Sequence, residues 1–390
     1  MIEHAPLLLP DAAWRHEPGL LRVLNALGGT ADMTRAVGGA VRDTLAGMPV
    51  ADVDLATRLL PDAVVRALGD AGIKAVPTGI AHGTITAIAD GRPYEVTTLR
   101  RDVATDGRHA IVAFTDDWAQ DAARRDFTIN ALYADPVAGT IYDPTGGRAD
   151  LLAGRVQFIG DAGQRIDEDH LRILRWFRFL ARFGQGGVDG DTLALIGARA
   201  PQLRALSRER VADELLRILA LADPVSTLQL MVDSGVMAEI APEAGSAAPR
   251  RVAALVAREM ALGLPVDAVR RLIALLPADG AVADGVAARL KLSNRVRKRI
   301  ATARGAGPVA AGAAGARIMA YHHGVDGARD QLLLAADGGD GTATWAAGAA
   351  PGAETWAAAW AALDGWSPPR LPISGGALMA RGAPAGPGIA

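Results

Sequence analysis

The stretch Ala36-Val-Gly-Gly-Ala-Val-Arg-Asp43, followed shortly by Ala51-Asp-Val-Asp-Leu55, decides how the rest of the chain is read. Two adjacent glycines leave no side chain between the backbone and an approaching group, as a tight turn or a close phosphate contact requires. Ala40 to Ala46 then reads as a short helix, so amides around Gly38 and Gly39 can face an anion while Arg42 supplies positive charge. After the Gly47-Met48-Pro49 turn, Asp52 and Asp54 alternate with Val53 and Leu55. On a strand, this sends both carboxylates to one face and both aliphatic groups to the other. Like charges so close are costly unless a cation lies between them. Oxygen ligands of this kind suit Mg2+, which keeps waters and substrate phosphates as its other ligands. A phosphate-gripping turn feeding a metal-binding strand is the arrangement that phosphoryl or nucleotidyl transfer needs. Each half also has a plain reading, a simple turn for Gly-Gly and a solvated loop for Asp-x-Asp, and it is their spacing together that favours the chemistry.

Three further motifs follow in order: Arg124-Arg-Asp-Phe-Thr-Ile-Asn-Ala131, Glu168-Asp169-x-x-Arg172, and Leu206-Ser-Arg-Glu-Arg210 with Glu214. With Gly38-Gly39-x-x-Arg42-Asp43 and Asp52-x-Asp54, this order resembles the bacterial class II tRNA CCA-adding enzyme and poly(A) polymerase family. These are polymerase-beta-like nucleotidyltransferases, and the resemblance covers about residues 34 to 215. It implies an α/β (α+β) head with a mixed sheet, followed by a helical neck, body and tail. The boundaries expected are residues 1–155 for the head, 156–245 for the neck with its base-recognition helix, and 246–390 for the body and tail.

The implied activity is Mg2+-dependent addition of C, C and A to the tRNA 3′ end from CTP and ATP, with release of pyrophosphate. Poly(A) addition, or A-only addition, is the alternative within the family. A non-catalytic RNA-binding protein with a nucleotidyltransferase-like head is the alternative outside it. Asp52 and Asp54 are the expected metal ligands. Glu95, on the strand after the Asp90-Gly91 hairpin, is the candidate third catalytic carboxylate, unless it is a solvated partner of Arg92 or Arg100. Gly38, Gly39, Arg42 and Asp43 are expected to shape the phosphate and sugar end of a nucleotide pocket. Arg124 and Arg125 can make forked contacts to phosphate. The resemblance adds Arg125, Asp126 and Asn130 to the nucleotide site.

Asp167 to Phe183 is expected as one helix, with Ile173, Leu174, Trp176, Phe177 and Leu180 toward a core and Arg175, Arg178 and Arg182 on the opposite side. Asp169 and Arg172 are three positions apart. In the family the matching pair reads the base edge of CTP or ATP, and Arg175 and Arg178 complete the expected nucleotide-binding set. The plain alternative is an intrahelical ion pair worth about 0.2–0.5 kcal/mol. Glu168 can favour the helix start or organise Arg172, and the Leu206 to Glu214 motif is expected to support helix packing. Residues 289 to 299 carry Arg289, Lys291, Arg295, Arg297, Lys298 and Arg299. That run can hold a tRNA backbone through phosphate contacts or serve as a solubilising helix end.

Composition bounds these readings. A chain of 390 residues with 50% hydrophobic and 22% charged residues suits two to three globular domains. Zero cysteines exclude disulfide and thiol chemistry. Glu3 and His4 open no basic-then-apolar leader, and no apolar run is long enough to cross a bilayer, so a cytoplasmic setting without a membrane partner is expected. A net charge of -2 gives no global nucleic-acid footprint but does not exclude one, since a local basic surface can hold a structured RNA. Residues 100 to 114 offer little periodicity and are expected as a loop near the active site, with His109 a phosphate contact at most. Trp356 and Trp360, four apart, are expected to pack on one helix face. Leu371-Pro-Ile-Ser-Gly-Gly376 resembles the family's tail motif, but Ala377 stands where an acid is usual and related chains continue beyond the equivalent of Ala390, so a shortened tail is expected. His322-His323 has no acidic companion of the hydrolase kind, and no added phosphatase domain is expected.

Overall fold

The computed structural model describes residues 8–29, 32–105, 110–305, 312–335, 353–369 and 375–382. Glu3, His4, Gly107, Arg108, His109, the stretch 337–350 and Leu371 to Ser374 of the tail motif lie outside them. The chain divides into two compact units, one made of Met1–Glu214 with Leu230–Ile240, the other of Leu215–Gln229 with Ala241–Ala390. The expected boundary at residue 155 falls within the first of these.

In the first unit α1 (Pro18–Ala26) precedes β1 (Thr34–Val37), α2 (Gly39–Leu45), β2 (Asp54–Thr57) and α3 (Pro61–Asp70). Proline opens both α1 and α3, where the first turn needs no intrahelical amide partner. Then come β3 (Lys74–Gly79), β4 (Thr84–Ala89) and β5 (Arg92–Thr98), a hairpin of β6 (Arg100–Thr105) and β7 (Ala110–Phe114), α4 (Trp118–Ala123), β8 (Tyr133–Ala134), β9 (Ile141–Tyr142) and α5 (Gly147–Leu152). Seven strands form one sheet in the order β3-β4-β5-β2-β1-β8-β9. Only β2 and β5 run parallel; every other pair in it is antiparallel, so the sheet is mixed.

Strand alternation divides the core. Ala36, Leu55, Ile85 and Val96 pack with Leu20, Val23 and Leu24 of α1 and Val64 and Leu68 of α3. Their neighbours Val37 and Ala56 pack on the other face with Leu99, Trp118, Ala122 and Tyr133. Asp54 stands on that second face, because Leu55 is committed to the first. The loop expected at 100 to 114 is instead the β6–β7 ribbon. A bulge between Asp102 and Ala104 breaks its two-residue alternation, and with it the signal a strand leaves in sequence.

The helical part of this unit holds α6 (Ala162–Glu168), α7 (Arg172–Phe183), α8 (Gly190–Arg199) and the start of α9 (Arg208–Leu219). The single helix expected from Asp167 is therefore two. Asp169 is extended at φ -155° and ψ 103°, and its carboxylate accepts the Leu171 N–H at 3.1 Å. Aspartate competes with the helix for backbone donors in this way, so it ends one helix and starts the next. The five apolar residues expected inward on α7 are buried, and Phe179 and Phe183 are buried with them.

After α10 (Val225–Asp233) and α11 (Val236–Ile240) the second unit continues through α12 (Ala248–Ala261), α13 (Ala268–Leu275), α14 (Gly280–Arg289) and α15 (Asn294–Gly305). Last come α16 (Gly312–Ala335), which is kinked where Gly324 takes φ 77°, α17 (Ala353–Ala361) and α18 (Gly375–Ala380). Trp356 and Trp360 stack at 5.6 Å between ring centroids and pack, with Trp366, against Ala316, Ala320, Leu332 and Leu363. The spacing of four therefore marks a packing face. Among the described residues no helix is long and apolar enough to cross a membrane.

Candidate active site

Gly38 takes a left-handed φ of 66° at the junction of β1 and α2, which a side chain would resist. Its N–H donates to the Leu132 carbonyl at 2.9 Å, so that amide is committed to the fold and is not offered to an anion. A Cβ built on Gly38 would lie 3.4 Å from the Asn130 carbonyl oxygen and 3.8 Å from an Arg125 guanidinium nitrogen. One built on Gly39 would lie 4.0 Å from an Arg42 nitrogen. The glycine pair thus lets the Arg-Arg-Asp-Phe-Thr-Ile-Asn segment come close to the turn.

Val37, just before that turn, lies opposite Asp54 in the sheet, and on its other side Asp54 is in register with Glu95 of the parallel strand β5. Asp52, Asp54 and Glu95 are exposed while Val53 and Leu55 are buried, the division that the alternation predicts. Asp52 itself lies two residues ahead of β2, in irregular chain. Although the Asp54 side chain reaches the surface, the surrounding protein takes up enough of its hydration to raise its pKa. Glu95 and then Asp52 push the same way, and Arg125 opposes them. Among the described residues no three carboxylates or histidines gather closely enough to hold a metal on their own.

Arg125 is set in place by a residue that sequence reading passed over. Asp121 of α4, only 1% exposed, accepts from Arg125 Nη2 at 3.0 Å, from Arg124 Nη2 at 2.7 Å and from the Tyr133 hydroxyl at 2.7 Å. Burial alone would raise its pKa, but Arg125, Arg124 and the Tyr133 hydroxyl reverse this and pull it down to about 2. Asp121 stands three and four positions before the two arginines, the spacing at which helical side chains meet, so the signal was present.

A second network joins the glycine turn to α7. Arg42 donates from Nε to Asp43 Oδ1 at 2.8 Å and from Nη1 to Asn130 Oδ1, and its guanidinium lies 5.0 Å and 4.7 Å from the Phe179 and Phe183 rings. Asn130 Nδ2 donates to Asp126 Oδ1 at 2.9 Å, and Asp126 Oδ2 accepts from Arg175 Nε at 2.7 Å. Burial would raise the pKa of Asp126, yet Arg175 and Asn130 hold it below the ordinary carboxylate value. Arg178 donates to Glu214 of α9 at 2.7 Å. Arg182 donates to Asp43 Oδ2 at 2.9 Å. Arg42, Asp43, Asp126, Asn130, Arg175 and Arg178, scattered through the sequence, are thereby brought together.

Asp169 and Arg172 are not paired with each other. Arg172 donates to Glu168 at 2.7 Å and to the carbonyls of Arg165 and Arg124, whereas Asp169 accepts from Arg210 at 2.7 Å. Asp169, extended between α6 and α7, is left to Arg210 and to the Leu171 N–H. The basic run in the second unit is divided as well. Arg289 pairs with Glu243, Arg297 with Asp284 at 2.9 Å, and Arg299 with Asp330 and Asp267 at 2.6 and 2.7 Å. Lys291 sits in the turn between α14 and α15 at φ 53°, and Arg295 and Lys298 are on α15. A groove of about 830 Å³ lined by Arg35, Arg58, Trp118 and Tyr142 contains none of the expected site residues.

Known proteins resemble this chain in both sequence and fold. Residues 34–157 match the poly A polymerase head domain, and residues 187–247 match a domain described as the probable RNA and SrmB-binding site of polymerase A. The mouse mitochondrial CCA tRNA nucleotidyltransferase 1 is 47% identical over 210 residues, which are 53% of this chain and 48% of that one. The CCA-adding enzyme of Geobacillus thermodenitrificans is 38% identical over 219 residues, 56% of this chain and 52% of the relative. The match thus spans about half the length of these curated relatives. The structure of the Bacillus stearothermophilus CCA-adding enzyme in complex with CTP aligns with a TM-score of 0.70 at 27% identity, over 96% of this chain and 90% of that one. Residues 34–157 and 187–247 thus carry domains of the poly(A) polymerase and CCA-adding enzyme family, and the chain shares the fold of a CCA-adding enzyme.

Proposed function

We propose that the chain is a CCA tRNA nucleotidyltransferase that extends the tRNA 3′ end with C, C and A from CTP and ATP. The observation that carries this reading is the placement of Asp54 in register with Glu95 beside an arginine network tied to the glycine turn. The relatives named for CCA addition support the same choice of substrate.

Asp52 and Asp54 are the residues that would hold Mg2+. Two exposed carboxylates two residues apart fit a cation that takes its remaining ligands from water and phosphate, and the negative charges of Glu95 and Asp52 add to burial in raising the Asp54 pKa, which a cation there would relieve. When bound, such a cation neutralises charge at the α-phosphate and on the departing pyrophosphate. In the reaction, the tRNA 3′-hydroxyl oxygen bonds to the α-phosphorus as the bond to the β-phosphate bridging oxygen breaks and pyrophosphate leaves. Arg125 and Arg175 would offer guanidinium groups to the phosphates while Arg42, bonded to Asp43 and Asn130, adds positive charge behind them, and Glu95, in register with Asp54, would orient the attacking hydroxyl. Arg172 and Asp169 offer a donor and an acceptor for base selection. Within the basic run, Arg295 and Lys298 on α15 are the members best suited to tRNA phosphates, since Arg289, Arg297 and Arg299 are engaged by carboxylates.

Purified protein given a tRNA that lacks CCA, with CTP, ATP and Mg2+, should add three nucleotides. ATP-only addition to a tRNA ending in CC would favour the A-adding reading. Tails of many adenylates would favour poly(A) synthesis, and tRNA binding without pyrophosphate release would favour a non-catalytic protein.

A further inference from the structure

Arg182 occupies the last turn of α7, yet it contacts a residue 139 positions earlier in the chain. The Asp43 carboxylate divides its two oxygens, Oδ1 accepting from Arg42 Nε at 2.8 Å and Oδ2 from Arg182 Nη2 at 2.9 Å. Arg42 and Asp43 are only 5% and 7% exposed, so neither turns freely into solvent. Burial lowers the Arg42 pKa, Asp43 works against this, and the positive charges of Arg182 and Arg178 add to the lowering. Asp43 is thus a shared counter-ion between cations that would otherwise repel one another. Fixing one carboxylate oxygen fixes the plane of the other, and with it the direction in which Arg42 meets Asn130. From Asn130 the same chain of bonds runs to Asp126 and Arg175.

We propose that Arg182 is a positioning residue for nucleotide binding, acting through Asp43 to hold Arg42 and Asn130 at the glycine turn. This rests on reading the site as a nucleotide pocket. Arg182 touches none of the reacting groups. Its contribution is to pin the turn to the end of α7, so that the two halves of the pocket keep one spacing.

The test is steady-state extension of a tRNA lacking CCA by R182Q, R182K, D43N and the double variant R182Q/D43N, with thermal midpoints and equilibrium CTP binding measured alongside. R182Q should raise KM for CTP and for ATP about tenfold and leave kcat within about twofold of the parent. R182K should recover most of the loss, because it keeps a cation within reach of Asp43. In the D43N background R182Q should cost nothing further, since the partner through which it acts is already altered. An unchanged KM in R182Q would overturn the proposal, as would losses that multiply in the double variant or a fall in kcat at constant KM. If the parent neither extends tRNA nor binds CTP, the reading of the site fails first and the proposal falls with it.

Discussion

In the first unit Arg42, Arg175, Arg178 and Arg182 are tied to Asp43, Asp126 and Glu214, whereas in the second Arg270, Arg271 and Arg299 meet Glu259, Asp267 and Asp330. Both sets cross-link distant segments, and both bury carboxylates. The second is balanced charge for charge, and Arg271, Glu259 and Asp330 are each at most 2% exposed. The pairs described in the first tie four arginines to three carboxylates, and Arg175 and Arg182 keep 30% and 27% of their side chains exposed. Beside it, Arg124 and Arg125 share the single carboxylate of Asp121. Next to this surplus of cations stand the exposed acids Asp52, Asp54 and Glu95. A balanced buried network is complete within the protein. On the proposed reading, a network with more arginines than carboxylates beside the exposed Asp52, Asp54 and Glu95 is completed by an anion that carries a cation, which is what a nucleoside triphosphate with its metal is.

The sharpest way to separate the two networks is to remove one acid from each region. D54A should lower nucleotide incorporation by at least about a thousandfold, as loss of a metal ligand removes charge stabilisation in the transition state. Its thermal midpoint should stay level or rise, because the fold raises the Asp54 pKa and so disfavours the charged carboxylate at neutral pH. A midpoint lowered by several degrees would make Asp54 a structural acid and break the contrast. E259A should behave in the opposite way. Leaving Arg271 buried without its carboxylate, with the Leu219, Leu221 and Ala222 carbonyls as its remaining acceptors, costs about 3–5 kcal/mol in urea unfolding, while the protein that remains folded should extend tRNA at the parental rate per active molecule.

Asp121 lies between these cases, buried for stability yet holding a phosphate-directed arginine. Its arginine partners hold its carboxyl at about 2, below the ordinary aspartate value of about 4, so its contribution is present above about pH 4 and lost as pH falls through about 2. The shift corresponds to about 2 kcal/mol. The difference in unfolding free energy between parent and D121N should shrink over that range, and a constant difference would mean that the Arg124 and Arg125 pairs are not its source. The smallest expected effect is at Arg172. R172A should weaken discrimination of CTP and ATP from GTP and UTP toward the lower end of about 1–3 kcal/mol per mismatched step. Glu168 and two backbone carbonyls already engage this guanidinium, so only part of its bonding is offered to a base. Single-turnover incorporation of each nucleotide measures it, and an unchanged profile would leave Arg172 as a helix-joining residue.

Much of the first unit was legible because its signals are local. Asp52-Val-Asp-Leu55 states which residues are exposed, and the apolar spacing of α7 states which face is buried. Glu95 was named from its strand as a candidate third carboxylate, and its register with Asp54 is a parallel pairing across 41 positions that no local pattern encodes. What stayed hidden were choices among partners. Nothing in the spacing of Asp169 and Arg172 says that a helix ends between Glu168 and Arg172, nor that Arg210 takes Asp169. The basic run from 289 to 299 reads as one patch only until Glu243, Asp284, Asp267 and Asp330 arrive from other helices. Arg182 was visible as a member of the basic side of α7, but its role depends on Asp43, which the fold supplies from the far end of the head.

The claim that the first network is completed by a bound triphosphate is tested most directly by equilibrium binding of CTP and of inorganic tripolyphosphate in the presence of Mg2+, comparing the parent, R175Q and E259A. The account predicts that tripolyphosphate alone competes with CTP and raises the parent's thermal midpoint, that R175Q weakens both ligands about tenfold or more, and that folded E259A binds them as the parent does. Equal affinity in R175Q and the parent, with no response to tripolyphosphate, would contradict it.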